Sequence, residues 1–202
     1  MRPVRALMEV ICSEKTLRIH PLLAQRFSPP SFDAGHELTD AEIDVLIEAA
    51  RWAPSAGNSQ PWGFIAGLRG DDVHLRLVKH LAGSSAGWAP CASALVVNLS
   101  HRYVEGTDWD YSEFAVYDLG QAVAHMTIQA QALGLSVRQF RAFDRAGLAR
   151  EFAVPAHWEV MTLSAVGRPS PAQPDTPIEP RPPARERRPL AHLRWPRAAT
   201  AD

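Results

Sequence analysis

The sequence predicts an α+β domain of the three-layer α/β kind: a mixed central sheet flanked by helices, with an extended C-terminal arm. Three observations carry that class. Segments with helical and strand periodicity alternate along the chain, as in layered folds. Residues 92–99 (ASALVVNL) form a nearly continuous apolar run, as expected of a central strand buried on both faces. Residues 169–183 hold seven prolines, which excludes both helix and central strand. At 202 residues and 46% hydrophobic, one core can be buried without disulfide or metal staples.

Residues 1–19 show no clear period and read as a poorly ordered leader or a lone short helix. Residues 20–168 are assigned to the body and 169–202 to the arm. Thr39 followed by Glu42 is a capping-box pattern, and Leu38 with Ile43 has hydrophobic-staple spacing. Ile43, Leu46, Ile47 and Ala50 then share one helical face, and Pro54 ends that helix. Residues 55–59 (SAGNS) are loop chemistry, and 62–68 have strand composition. Asp71 or Asp72 caps a helix carrying Val73, Leu77 and Leu81. The longest helix covers about 113–133, with Val116, Leu119, Val123, Met126 and Ala130 spaced near 3.6 and Gly134 at its C-terminus. Its many alanines, with Gly120, predict a helix that is central or lies at a subunit interface. A strand at 135–140, a short helix capped by Asp144 and a strand at 159–166 complete the body. The arm then carries Arg185, Arg187 and Arg188 to a remote place.

Composition removes several function classes. Two cysteines, Cys12 and Cys91, support neither a disulfide framework nor a Cys-rich zinc site. No apolar run approaches the ~20 residues of a membrane span, and the default is a reducing cytoplasm. The net charge of −1 argues against a strongly basic nucleic-acid binder. From Arg181 onward six arginines face Glu186 and Asp202, leaving 15 basic and 20 acidic groups before them. With only Lys15 and Lys79 as lysines, arginine is this chain's habitual cation. No serine-hydrolase, zinc-protease, P-loop or G-x-G-x-x-G motif is present. His125 reads as a core or interface histidine rather than a ligand, and Cys91 as core packing at the start of a strand.

Three polar clusters remain. Arg26-Phe27-Ser28 places a cation and a hydroxyl two residues apart, on one side of an extended segment, as an anion clamp would. Residues 53–62 (APSAGNSQPW) form a proline-stiffened loop rich in donors and acceptors, suited to the edge of a planar heterocycle. The third cluster is Arg185, Arg187 and Arg188. Each is also open to the plainer reading of a solvated surface.

Together these residues closely resemble the FMN-dependent nitroreductase family. The family pattern is R-x-S, then A-P-S-x-x-N-x-Q-P-W about 27 residues later, here Arg26, Ser28 and residues 53–62. The likeness continues through Asp118-Leu119-Gly120, Ala132-Leu133-Gly134-Leu135, Phe143-Asp144, Gly167-Arg168-Pro169 and Arg187-Arg188-Pro189-Leu190, covering roughly 20–195. The resemblance implies a nitroreductase-like sheet and a homodimer with FMN at the subunit interface, lined by both chains. Arg26 and Ser28 would hold the FMN phosphate with Arg187 and Arg185, and Phe27 lies between them. Ser55 and Asn58 would bond the ring and ribityl oxygens, with Pro54, Ala56 and Gln60 shaping that loop. The backbone at Arg141 and Ala142 would donate to the hydride-accepting ring nitrogen. No side chain is assigned as catalytic and no metal is expected.

The sequence also departs from many relatives. Pro30 replaces a basic residue two positions after the serine, Ser85 and Trp88 stand where an Asn and a cation are common, and Arg141 replaces an acidic or small residue. The implied activity is ping-pong reduction of nitroaromatic or quinone-like acceptors with NAD(P)H as donor, the cofactor carrying the chemistry. Two alternatives are a flavin-binding or flavin-storage protein and a flavin-dependent dehydrogenase of a natural product.

Overall fold

The structure, a computed structural model, describes residues 19–170 and 186–195. By contacts the chain divides into two units, Met1–Ser170 and Pro171–Asp202, and each is described by itself. Among the described residues the first element is a short helix the sequence pattern did not reveal, α1 (Pro21–Gln25). Pro21 occupies its first turn, and the His20 side chain accepts from the Leu22 N–H. Helix α2 (Asp40–Arg51) begins with the expected capping box. The Glu42 N–H donates to Thr39 Oγ1, and the Thr39 N–H donates back to the Glu42 carboxylate at 2.8 Å. Strand β1 (Trp62–Leu68), helix α3 (Asp72–Val78) capped by Asp71, helix α4 (Gly83–Ala86) and strand β2 (Ala94–His101) follow. Helix α5 (Ala115–Ala132), strand β3 (Ser136–Phe140), helix α6 (Arg145–Glu151) and strand β4 (Trp158–Gly167) complete the body.

The strands line up in the order β1-β2-β4-β3, and every described pairing is antiparallel. The expected mixed sheet is corrected on this point. The apolar run in β2 reports burial on both faces, and burial carries no information about strand direction. Ala94 and Val96 point to a core shared with α2 and α5 through Leu46, Ala122 and Met126. Leu95, Val97 and Leu99 point to a second core with Leu77 of α3 and Leu148 of α6. Helices therefore cover both faces, and the three-layer α+β architecture stands. On the α5 side the even positions of β2 turn polar at Asn98 and Ser100, both 0% exposed. Asn98 Nδ2 donates to Thr162 Oγ1 and Ser164 Oγ on β4, each at 2.9 Å.

Two side-chain expectations are corrected. Cys91 is exposed, in a short 3-10 turn before β2 rather than in the core. His125 is exposed on α5, so it is not a core histidine. Residues 1–18 and 171–185, including Arg185, lie outside the described residues. In the second unit a 3-10 turn (Leu190–His192) is followed by Trp195, and Leu190, Leu193 and Trp195 are 47%, 56% and 94% exposed.

Candidate functional site

The loop from Pro54 to Gln60 carries unusual backbone geometry. Gly57, Asn58 and Gln60 have φ of 58°, 57° and 48°, the left-handed region that side-chain-bearing residues rarely adopt. Such strain persists only where the surroundings over-determine it. They do so here. The Gln60 N–H donates to Ser55 Oγ at 3.0 Å, and Gln60 Nε2 donates to Asn58 Oδ1 at 3.2 Å. From the first turn of α5, Asp118 Oδ2 accepts the Ala56 N–H at 3.0 Å while its Oδ1 accepts Gln121 Nε2 at 3.2 Å. Gln121 also reaches the Pro54 carbonyl. On the other side the Tyr111 hydroxyl donates to the Ser59 carbonyl at 3.2 Å. The Tyr111 ring stacks on His101 at 3.8 Å, and His101 stacks in turn on Trp158 at 4.6 Å. Burial first, and then His157, push the His101 pKa below its ordinary value. The loop is thus a rigid shelf with its backbone tied down. Asn58 stays exposed, and its Nδ2 donors have no partner among the described residues.

Arg26 and Ser28 lie within hydrogen-bond reach of each other. Arg26 Nη1 donates to Ser28 Oγ at 3.4 Å, directly after α1. Phe27 is half-buried beside them. The following Pro29-Pro30 segment is held by β3, where Arg138 Nη1 donates to the Pro30 carbonyl at 2.9 Å and the Pro29 carbonyl at 3.4 Å. The Arg138 guanidinium also lies 3.8 Å from the Trp88 ring centroid. Trp88 is stacked near Phe32 and meets Phe140 edge-on.

At the C-terminal end of β3, Arg141 is exposed. The Ala142 carbonyl accepts the Ala82 N–H and the hydroxyl of buried Ser85. Ser85 is therefore used by the scaffold. The Ala142 N–H has no partner among the described residues and remains able to donate outward.

These pieces do not form one site within the chain. The shelf leads into β1 and the clamp is held by β3, and these are the two edges of the sheet. Trp62 and Arg138 stand three strand spacings apart, about 14 Å, and roughly 20 Å apart along the strands. Arg187 is exposed and bonds only the neighbouring Glu186 carbonyl. Asp118, Tyr111, His101 and Arg138 escaped the sequence reading as site residues. The one available signal was Asp118, already noticed in the Asp118-Leu119-Gly120 likeness. Among the described residues no cluster of His, Cys, Asp and Glu could hold a metal ion.

An antiparallel three-layer α+β fold, with a strained donor loop at one edge and a cation–hydroxyl clamp at the other, defines the class. The model of the nitroreductase family matches residues 23–90, which span both pieces. A protein of Streptomyces coelicolor provisionally named a NADH dehydrogenase/NAD(P)H nitroreductase is 27% identical over 65% of this chain and 73% of its own length. The oxygen-insensitive NAD(P)H nitroreductase of Salmonella typhimurium is 37% identical over 30% of this chain and 27% of its own. A crystal structure described as an oxidoreductase containing FMN superposes with TM-score 0.81 at 25% identity, covering 94% of this chain and 96% of that one. Over the matched residues the chain is similar to the nitroreductase family.

Proposed function

We propose that this protein is an FMN-dependent NAD(P)H oxidoreductase that works as a homodimer and reduces planar nitroaromatic or quinone-like acceptors. The observation that carries the reading is the division of the donor set between opposite sheet edges. A two-fold partner would bring the shelf of one chain to the clamp of the other, and a composite site needs that. The donor chemistry fits FMN. A guanidinium and a hydroxyl suit a phosphate. A tied-down loop with outward amide donors suits the edge of a heterocycle, and the free Ala142 N–H suits a ring nitrogen.

When bound, FMN supplies the two-electron chemistry, and NAD(P)H and the acceptor take turns over it. The residues of this chain do the binding and orienting. Arg26 and Ser28, joined by Arg185 and Arg187 from the arm, hold the phosphate. Ser55, Asn58 and Gln60, with the Pro54-Ala56 backbone behind them, orient the ring edge from the partner chain. Ala142 fixes the ring at its N–H. Asp118 is committed to the Ala56 N–H and Gln121, so solvent delivers the proton that the reduced acceptor needs.

Dimerisation has a surface to use. A groove of about 550 Å³ runs between α1, α2 and α5, lined by Leu22, Leu23, Trp52, His125 and Ile128. Trp52 is 71% exposed, and such apolar patches mark interaction sites. His125 fits here as an interface residue. Exposed Cys91, a free thiol, suits a reducing cytoplasm. The test is anaerobic: FMN-loaded protein mixed with NADH or NADPH should lose its flavin absorbance and regain it when a quinone is added. Absorbance that stays unchanged with both donors would overturn the reading.

A further inference from the structure

Arg138 is a half-buried cation with no counter-charge among the described residues. Arg51, Arg76, Arg102 and Arg145 each sit within ion-pair distance of a carboxylate, whereas among the described residues Arg138 has none. Its Nη1 is used by the Pro29 and Pro30 carbonyls, and its face by Trp88. Nε and Nη2 have no partner among the described residues. Burial already lowers its pKa from the ordinary arginine value. A half-buried guanidinium with donors to spare is suited to a charge-assisted bond with an anion.

Its position says which anion. Ser28 is two residues from Pro30, so their Cα atoms are within about 7 Å, and Arg138 holds the Pro30 carbonyl at 2.9 Å. That contact brings the Arg138 guanidinium to the segment that carries Arg26 and Ser28. We infer that Arg138 is a phosphate-binding residue, a cation that β3 supplies to the FMN phosphate. The inference rests on the FMN reading and adds a ligand to it.

The test is a flavin titration of apo protein by fluorescence, with FMN and with riboflavin, which lacks the phosphate. Arg138→Gln keeps an N–H donor for the Pro30 carbonyl and removes the charge. It should weaken FMN at least about tenfold, the scale of a charge-assisted bond, and leave riboflavin unchanged. Arg138→Lys keeps the charge and should retain most of the preference for FMN. Salt should weaken FMN binding less in Arg138→Gln than in the wild type. Equal losses for both flavins in Arg138→Gln, or no loss for either, would overturn the inference while leaving the FMN reading intact. The same holds if Arg138→Lys behaves as Arg138→Gln. A wild-type protein that binds neither flavin overturns both.

Discussion

Asp118 is 2% exposed, yet it turns both carboxylate oxygens to partners that fix the 54–60 loop. Its replacement by alanine leaves the Ala56 N–H without its acceptor and lets Gln121 drift. Asp118→Ala should therefore cost about 1–3 kcal/mol of stability and weaken FMN in parallel. Asp118→Asn, which can still accept the Ala56 N–H, should cost less. Urea unfolding and flavin titration of the two variants check this, and equal effects would contradict it. Histidines set a pH dependence at the same scale. His74 is 4% exposed and accepts the Gly70 N–H at Nδ1, and burial lowers its pKa below 6.5. His101 is lowered in the same direction. The unfolded chain then binds more protons than the folded one, so stability is lost as pH falls from about 6.5 toward the folded values. The melting temperature at about pH 5.5 should lie below that at about pH 7.5, and a flat profile would contradict the account. Arg26-x-Ser28 and residues 53–62 were conspicuous in the sequence because each forms a contiguous pattern. Asp118 and Arg138 were not, because their partners lie 62 and 108 residues away and only the fold brings them together.

Elements were readable where pattern and end signals agreed. The Thr39–Glu42 box, the Asp71 and Asp144 caps and the 3.6 period of α5 each marked a helix that forms. Helix α1 has five residues, too few to show a period, and its proline looks like a breaker out of context. Strand direction was illegible for the reason given above: β2 and β4 are the central pair, and two helical layers make both faces apolar. Close approach between elements gives a sharp expectation at Gly67 of β1. A Cβ there would lie 2.5 Å from the His74 backbone nitrogen in α3. Gly67→Ala must push the helix off the sheet and should destabilise by about 1–3 kcal/mol, measurable by urea unfolding. Wild-type stability in that variant would mean that α3 is not seated as described.

At the scale of the whole molecule, the arm and the proposed dimer are one question. Proline lowers the entropy a chain loses when it docks, and Leu190, Leu193 and Trp195 are exposed apolar groups in want of a partner. Arg187→Ala should weaken FMN about tenfold or more. A chain ending at Ser170 should lose both flavin and dimer at micromolar concentration. A truncated protein that stays yellow and dimeric would make the arm a passive tail. The central claim, a site shared between two chains, is tested most directly by mixing subunits. Arg26→Gln damages only the clamp, and Asn58→Ala only the shelf, so each homodimer should bind FMN poorly at both of its sites. A doubly tagged heterodimer purified from their co-expression contains one site built from an intact clamp and an intact shelf. It should hold one FMN at wild-type affinity, reducible by NAD(P)H. A heterodimer that binds flavin no better than either parent homodimer would contradict the account.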